Sequence, residues 1–218
     1  MPALAFGQKP LVHCPLVKQS IVTLDMEGVL TPEIWIAVAE RTGIAELRRT
    51  TRDEPDYDKL MNYRLGILDR HGVTLPKIQE VIGGLPPLPG ALEFLDVLRQ
   101  EVPVIILSDT FEQFATPLMK QLGWPTLLCH ELVVAPSGRI TGYQLRMPDQ
   151  KRHAVEALRG LNYHVIAAGD SHNDLAMLQA ANHGILFQPT AAFAAANSHF
   201  PVTRDHAALR AEIEKLLK

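Results

Sequence analysis

Residues 20–30 read SIVTLDMEGVL, an apolar and β-branched run that ends abruptly in an acidic turn. The run predicts a buried strand over 20–24. Asp25 and Glu27 follow the strand directly, and Gly28 permits a tight turn behind them. Ligands of an open parallel sheet collect at the carboxyl ends of its strands. This stretch therefore indicates a parallel sheet that carries carboxylates at its functional edge.

Two later stretches have the same form. The apolar run 102–107 is followed by SDT at 108–110, and the run 165–168 is followed by GDSHND at 169–174. Three predicted strands thus end in hydroxyl or carboxylate side chains. Because parallel strands end at one edge of a sheet, we expect these side chains to lie close together.

Helical and extended segments alternate along the rest of the chain. Leu92, Leu95 and Leu98 mark one helix, and Pro117 is expected to kink or restart the next one. The alternation predicts a Rossmann-like α/β fold with a doubly wound parallel sheet. The other expected helices cover 111–122, 150–161, 173–181 and 205–217, and the other expected strands cover 127–128, 131–135, 140–145 and 184–187.

A helical stretch separates the first strand from the others. Thr31 and Pro32 are expected to open its first helix, as the N-cap and the first helical residue. Its second helix carries an apolar stripe that runs from Tyr57 to Leu68, and a third, short helix is expected around 75–82. We therefore expect three parts, namely an N-terminal arm at 1–20, a core at 21–30 and 86–218, and a helical cap at 31–85.

Composition excludes several classes of protein. The chain has 218 residues, of which 47% are hydrophobic and 21% charged, so it can bury a core. A net charge of −3 without a Lys/Arg cluster argues against nucleic-acid binding, and the apolar runs are too short to span a membrane. Two isolated cysteines, Cys14 and Cys129, form no disulfide framework, which predicts a cytoplasmic location. The oligomeric state, monomer or homodimer, stays open.

The polar residues at the strand ends form a coherent chemical set. Asp25 and Asp170 offer the hard oxygen ligands that Mg²⁺ prefers. An aspartate can also attack phosphorus and carry the phosphoryl group as an aspartyl phosphate. Ser108 and Lys151 would then donate to the phosphoryl oxygens that carry charge in the transition state. The pattern points to Mg²⁺-dependent phosphoryl transfer.

These segments resemble the four sequence motifs of the haloacid dehalogenase superfamily, in the same order. They are DMEGVL at 25–30, SDT at 108–110, Lys151 and GDSHND at 169–174. Within the superfamily the chain is similar to the phosphoserine phosphatases, and above all to those that also transfer the phosphoryl group to homoserine. The stretch TTRDEPDYDKLM at 50–61 adds to that similarity. The resemblance implies a Rossmann-like core with a small helical cap after the first strand.

The resemblance also implies a role for each motif residue. Asp25 would be the nucleophile and a Mg²⁺ ligand, and Glu27 the general acid/base, which ligates the metal through its backbone carbonyl. Asp170 would complete the metal site. Ser108 and Lys151 would grip the phosphoryl group. The residues expected to support the metal site or bind substrate are Asn173, Asp174, Asp109 and Thr110.

Two cap residues match the substrate-binding positions of phosphoserine phosphatases. By the resemblance, Glu33 would hold the ammonium group of O-phosphoserine and Arg64 its carboxylate. The residues alone leave alternatives open. Glu33 could serve only the dipole of its helix, and Arg64, a charge on an apolar stripe, could extend past the edge of the stripe to solvent. A buried Arg64 would instead suit bidentate recognition of a carboxylate.

The chain departs from most phosphoserine phosphatases at two positions. Glu27 stands where the family usually has Asp, and Asp109 follows the motif serine where the family usually has Gly. The homoserine-transferring subgroup shares both features. We hypothesise that the longer arm of Glu27 helps to position homoserine as acceptor in place of water.

Two alternative functions remain at this stage. One is a phosphatase of the same fold for another small phosphorylated metabolite, which would not need Arg64 to meet a carboxylate. The other is a module that kept the fold for binding without catalysis, although all four motif positions are chemically competent.

Overall fold

The computed structural model describes residues 17–51, 53–54 and 56–217. Residues 1–16 of the expected N-terminal arm lie outside this range. Within it, no helix is both long enough and apolar enough to cross a membrane.

Seven strands of the described chain form one sheet in the order β4-β3-β2-β1-β5-β6-β7. All neighbouring strands are parallel except β3 and β4. Because β1 lies between β2 and β5, the chain winds outward from it in both directions, which confirms the doubly wound fold. The strands are β1 Ser20–Leu24, β2 Val104–Phe111, β3 Thr126–Val134, β4 Ile140–Gln144, β5 His164–Gly169, β6 His183–Phe187 and β7 Val202–Thr203.

Helices connect the strands and cover both faces of the sheet. Two short 3-10 helices, Ala45–Arg48 and His172–Asp174, complete the regular structure of the described residues. The α-helices are α1 Ile34–Thr42, α2 Tyr57–Arg70, α3 Leu75–Gly83, α4 Ala91–Glu101, α5 Glu112–Gln121, α6 Gln150–Gly160, α7 Leu175–Ala180, α8 Ala191–Ala196 and α9 His206–Glu214.

The apolar core has two parts, one on each face of the sheet. Val22 and Leu24 of β1 contribute to one part, and Ile21 contributes to the other, as the alternation of side chains along a strand requires. Ile34 of α1 and Ile78 of α3 belong to the same part as Val22. The helices between β1 and α4 therefore share a continuous apolar core with one face of the sheet.

The first helix begins later than the sequence predicts. Thr31 and Pro32 precede α1, and Glu33 occupies the N-cap position. Thr31 instead closes the turn after β1, where its carbonyl oxygen accepts a hydrogen bond from the Gly28 N–H at 2.8 Å. The expected N-cap role of Thr31 is wrong because the backbone of Thr31 is hydrogen-bonded within this turn, before the helix begins.

The polar ends of strands also differ from the prediction. Strand β2 continues past 107 through the polar residues to Phe111, and β3 is one strand where two were expected. Helix α5 runs through Pro117 without restarting. Proline cannot bond the carbonyl oxygen of Gln113, four residues earlier, and Gln79 of α3 donates to that oxygen at 2.8 Å. The expected helix at 173–181 divides into a 3-10 turn and α7, while α8 and β7 were not anticipated.

Candidate active site

The ends of β1, β2 and β5 meet at one cavity of about 390 Å³. Asp25 follows β1, Ser108 lies within β2, and Asp170 follows β5. The expectation that these side chains lie together is confirmed by this cavity. Its wall also includes the predicted site residues Glu27, Glu33, Arg64, Asp109, Thr110 and Asn173.

Lys151 lies beside Asp25, among buried carboxylates. Its Nζ lies 2.9 Å from Asp25 Oδ1, 2.8 Å from Asp174 Oδ1 and 3.5 Å from Asp109 Oδ2. Burial lowers the pKa of Lys151, but the three carboxylates outweigh it and raise that pKa above its usual range. The neighbouring Arg152 instead pairs with Glu156 at the surface. Lys151 is therefore a fixed positive charge next to Asp25.

Carboxylate oxygens of Asp25, Asp170 and Asp174 lie within 4.8 Å of one another and could hold a metal ion. Asp174 Oδ2 accepts hydrogen bonds from the N–H groups of Asp170 and Ser171, at 3.0 and 3.2 Å, and its Oδ1 accepts from Lys151. Asp174 thus braces the turn after β5. Burial and the Asp174 charge raise the pKa of Asp170 to about 7.

Gly28 makes room for the Asp170 carboxylate. A Cβ at this position would lie 2.6 Å from Asp170 Cγ, and the backbone φ of +79° also favours glycine. Any larger residue would force the Asp170 carboxylate to move. The glycine of the first motif therefore shapes the acidic site directly.

Glu27 connects the acidic site to α1. Its Oε2 accepts a hydrogen bond from the Ile34 N–H at 2.8 Å, so the side chain caps the helix seven residues later. Burial, followed by the charge of Glu33, raises the pKa of Glu27 to about 8. A carboxyl group in this setting holds a proton near neutral pH.

Strand β2 changes register at the second motif. Leu107 pairs with Leu128 of β3, but the next pair is Phe111 with His130, so β2 has extra residues between the two pairs. This bulge presents residues 108–110 to the cavity. Within it the Ser108 hydroxyl oxygen accepts a hydrogen bond from the Thr110 N–H at 3.3 Å.

Arg64 is buried, with 6% of its surface exposed. Its guanidinium carbon lies 4.5 Å from the ring centre of Trp35, and its Nη2 donates to the Arg49 carbonyl oxygen at 2.8 Å. The Nε has no hydrogen-bond partner among the described residues. Burial lowers the pKa of Arg64 to about 10. Arg64 therefore does not extend to solvent, and its buried guanidinium lies at the wall of the cavity.

Three residues of the site were not predicted as functional residues from the sequence. Trp35 and Tyr57 both line the cavity, and the Tyr57 hydroxyl donates to the Asp109 carbonyl oxygen at 3.0 Å. Their aromatic character is equally typical of the core and of an interface with the cap. Gln150 is buried behind Ser108, and its place before Lys151 was the one available signal. His172, within the motif at 169–174, is exposed.

Comparisons with known proteins agree with this geometry. The family model of haloacid dehalogenase-like hydrolases matches residues 20–182. Phosphoserine phosphatase ThrH of Pseudomonas aeruginosa is 55% identical over 195 residues, which cover 89% of this chain and 95% of that protein. A phosphoserine phosphatase of Pseudomonas syringae pv. tomato is 60% identical over 167 residues, covering 77% of this chain and 70% of that protein.

A solved structure supports the fold independently. It is described as the phospho-aspartyl intermediate analogue of phosphoserine phosphatase, and it superposes with a TM-score of 0.72 at 19% identity. The superposition covers 93% of this chain and 100% of the other. At this identity the similarity concerns the fold alone, while the sequence relatives and the family model carry the assignment. The chain belongs to the haloacid dehalogenase-like hydrolases.

Proposed function

We propose that the protein is a Mg²⁺-dependent phosphoserine phosphatase in which Asp25 accepts the phosphoryl group. The names of its relatives support the substrate. The buried contact between Asp25 and Lys151 supports the role of Asp25, because it fixes the carboxylate beneath the cavity. Ser108 and Lys151 then donate to the phosphoryl oxygens as charge develops on them.

The observation that carries the choice of substrate is the buried Arg64 with its unpartnered Nε. A guanidinium suits a planar carboxylate, because it can donate two parallel hydrogen bonds. Glu33, on the same cavity wall, supplies a negative charge for an ammonium group. A phosphorylated amino acid such as O-phosphoserine carries both groups, and a cavity of about 390 Å³ suits a ligand of this size.

Glu27 serves as the acid and then the base. Its Oε2 is held by the Ile34 N–H, and the raised pKa of about 8 keeps a proton on the carboxyl group at neutral pH. That proton passes to the oxygen of the departing serine while Asp25 forms its bond to phosphorus. The resulting carboxylate then takes a proton from the water that attacks the phosphorylated Asp25.

The donor set fits Mg²⁺, since carboxylate oxygens of Asp25 and Asp170 lie close together. Gly28 leaves space for the Asp170 carboxylate. Asp25, Asp170 and the Glu27 backbone carbonyl would hold the ion. When bound, Mg²⁺ supplies positive charge to the phosphoryl oxygens. Asp174 keeps its oxygens for Lys151 and for the turn after β5.

Three further features complete the proposal. Homoserine acts as a second acceptor, supported by the presence of Glu27 where most phosphoserine phosphatases have Asp. Residues 31–85 act as a cap that covers the cavity, supported by Arg64 and Tyr57, which reach it from α2. The enzyme acts in the cytoplasm, as its two isolated cysteines favour.

The test is an assay of the purified protein with phosphoserine, with and without Mg²⁺ and homoserine. We expect Mg²⁺-dependent release of phosphate, and formation of phosphohomoserine when homoserine is present. Activity on other phosphate esters but not on phosphoserine would contradict the proposed substrate. Phosphate release without phosphohomoserine would contradict the acceptor role alone.

A further inference from the structure

Gln150 is a buried amide that belongs to none of the four motifs, with 1% of its surface exposed. It opens α6, directly before Lys151. Its Nε2 donates to the Ser108 carbonyl oxygen at 2.5 Å and lies 3.4 Å from Asp109 Oδ1. Both contacts fall in the bulge of β2, where the register with β3 is broken. A side-chain amide thus supplies hydrogen bonding where the sheet ladder is interrupted.

The orientation of this amide is fixed from its other end. The Arg146 guanidinium donates to Gln150 Oε1 through Nε at 3.1 Å and through Nη2 at 2.9 Å. Because a guanidinium has only donors, the carbonyl end of the amide must face Arg146. The amino end must therefore face Ser108 and Asp109.

His130 completes the arrangement on the β3 side. Its Nδ1 accepts the Arg146 backbone N–H at 3.1 Å, so the proton of a neutral ring resides on Nε2. That atom lies 3.7 Å from Asp109 Oδ1. Burial raises the pKa of Asp109. The charge of Lys151 and the contacts of His130 and Asn173 outweigh burial and hold this pKa well below its usual range. Asp109 is thus held as a carboxylate against the donors around it.

We propose that Gln150, oriented by Arg146, is a positioning residue for the phosphoryl-binding segment 108–110. It holds the Ser108 carbonyl, and through the backbone of this residue the direction of the Ser108 hydroxyl at the cavity. This proposal rests on the proposed function, in which Ser108 grips the phosphoryl group. It assigns to Gln150 no contact with substrate.

Gln150→Glu tests the amino end of the amide alone. The introduced carboxylate keeps a bidentate pair with Arg146, but it cannot donate to Ser108 and it repels Asp109. We expect kcat to fall about ten- to a hundredfold with little change in KM, as for a misplaced catalytic group. Below the pKa of the introduced carboxyl it regains a donor, so activity relative to wild type should rise as the pH falls. The ionisable groups next to this position are Asp109, His130, Arg146 and Lys151. Those that line the neighbouring cavity are Asp56, Tyr57, Asp58, Asp149 and His172.

Gln113→Leu is the matched control. Gln113 also bonds a backbone at both ends, since it accepts from Leu132 N at 2.9 Å and donates to Leu132 O at 3.2 Å, but it lies outside the site. The control should lose thermal stability and keep its kcat. If Gln150→Glu and Gln113→Leu show the same kcat at matched stability, or if the relative activity of Gln150→Glu does not change with pH, the proposal is overturned.

Arg146→Met guards against a Gln150 variant that does not fold, because Arg146 is exposed. It frees the amide to rotate, so we expect kcat to fall severalfold, and an unchanged kcat would count against the proposal. All variants are assayed with phosphoserine and with p-nitrophenyl phosphate. A wild-type protein that hydrolyses only the second substrate contradicts the proposed function, and the Gln150 effect can still be measured on it.

Discussion

Arg64 is the residue that most narrows the choice of substrate. It is buried against Trp35 on the wall of the candidate site, and burial lowers its pKa only to about 10, so it remains charged at neutral pH. A buried charge is costly without a partner. The Arg49 carbonyl satisfies one of its nitrogens, and a ligand carboxylate would satisfy the unpartnered Nε.

The Arg64→Ala variant should therefore bind phosphoserine poorly. Hydrogen bonds to charged groups contribute about 1.5–3 kcal/mol, which corresponds to a rise in KM of about ten- to a hundredfold. Phosphoethanolamine, which has the ammonium group but no carboxylate, is the matched substrate, and its KM should change little. Steady-state kinetics on both substrates check this. Equal effects on the two KM values would mean that Arg64 serves packing.

Glu27 differs from the usual aspartate by one methylene, and the structure shows where that length goes. Its Oε2 reaches the Ile34 N–H at the start of α1. In Glu27→Asp the shorter side chain should lose this contact, so we expect transfer to homoserine to fall relative to hydrolysis. The measured quantity is the ratio of phosphohomoserine to phosphate at fixed homoserine. An unchanged ratio would contradict the proposed role of Glu27 in positioning homoserine as the acceptor.

At the level of helices and strands, sequence periodicity predicted the elements whose formation depends on neighbouring residues in the chain. The apolar run of β1 and the stripe of α2 gave both elements near their observed positions. The start of α1 was missed because its capping carboxylate comes from Glu27, before the helix. The end of β2 was missed because its last residues are polar and form a bulge supported by Gln150 and Tyr57.

The candidate site could also be predicted only in part from the sequence. Residues at strand ends, such as Asp25 and Asp170, follow from the rule for parallel sheets. Gln150 could not be predicted, since its role depends on a contact with a residue 42 positions away in the chain. Trp35 could not be distinguished from a core aromatic, because it is both buried and adjacent to the cavity.

The continuity of α5 through Pro117 offers a test at this scale. Gln79 donates to the Gln113 carbonyl oxygen that proline leaves without its usual helical partner. Gln79→Ala should lower the free energy of unfolding by about 1 kcal/mol. In a Pro117→Ala background, where a backbone N–H can bond Gln113, the same substitution should cost less. Urea denaturation of the four proteins measures this coupling, and additive effects would contradict it.

For the whole molecule, the distribution of charge matters more than its sum. A net charge of −3 gives a phosphate ester no general attraction, and the site itself gathers several carboxylates around Lys151 and Arg64. Burial raises the pKa of Asp25, and it raises that of Asp170 to about 7. Local positive charge, including Mg²⁺, must offset these carboxylates when substrate binds.

This arrangement predicts a specific dependence of stability on pH. A carboxyl whose folded pKa exceeds its unfolded pKa stabilises the fold at low pH, and that stability is lost as the pH rises through the folded pKa. Asp170 and Glu27 have folded pKa values of about 7 and about 8, so without Mg²⁺ Tm should fall between about pH 4 and about pH 8. Added Mg²⁺ should raise Tm more at the higher pH, because it binds the deprotonated carboxylates. Thermal melts check both effects.

Asp170→Asn provides the control for this experiment. It removes one titrating carboxyl and one proposed ligand, so both the pH dependence and the Mg²⁺ effect should shrink. A Mg²⁺ shift of equal size at the two pH values, or one that the variant retains in full, would contradict the proposed metal site.

The central claim is that Asp25 receives the phosphoryl group of phosphoserine. It is tested most directly by quenching the enzyme in acid during turnover of ³²P-labelled phosphoserine and locating the label by peptide mapping. We predict label on the peptide that contains Asp25, and none in Asp25→Asn treated in the same way. Turnover without any labelled protein, or label on another residue, would contradict the account.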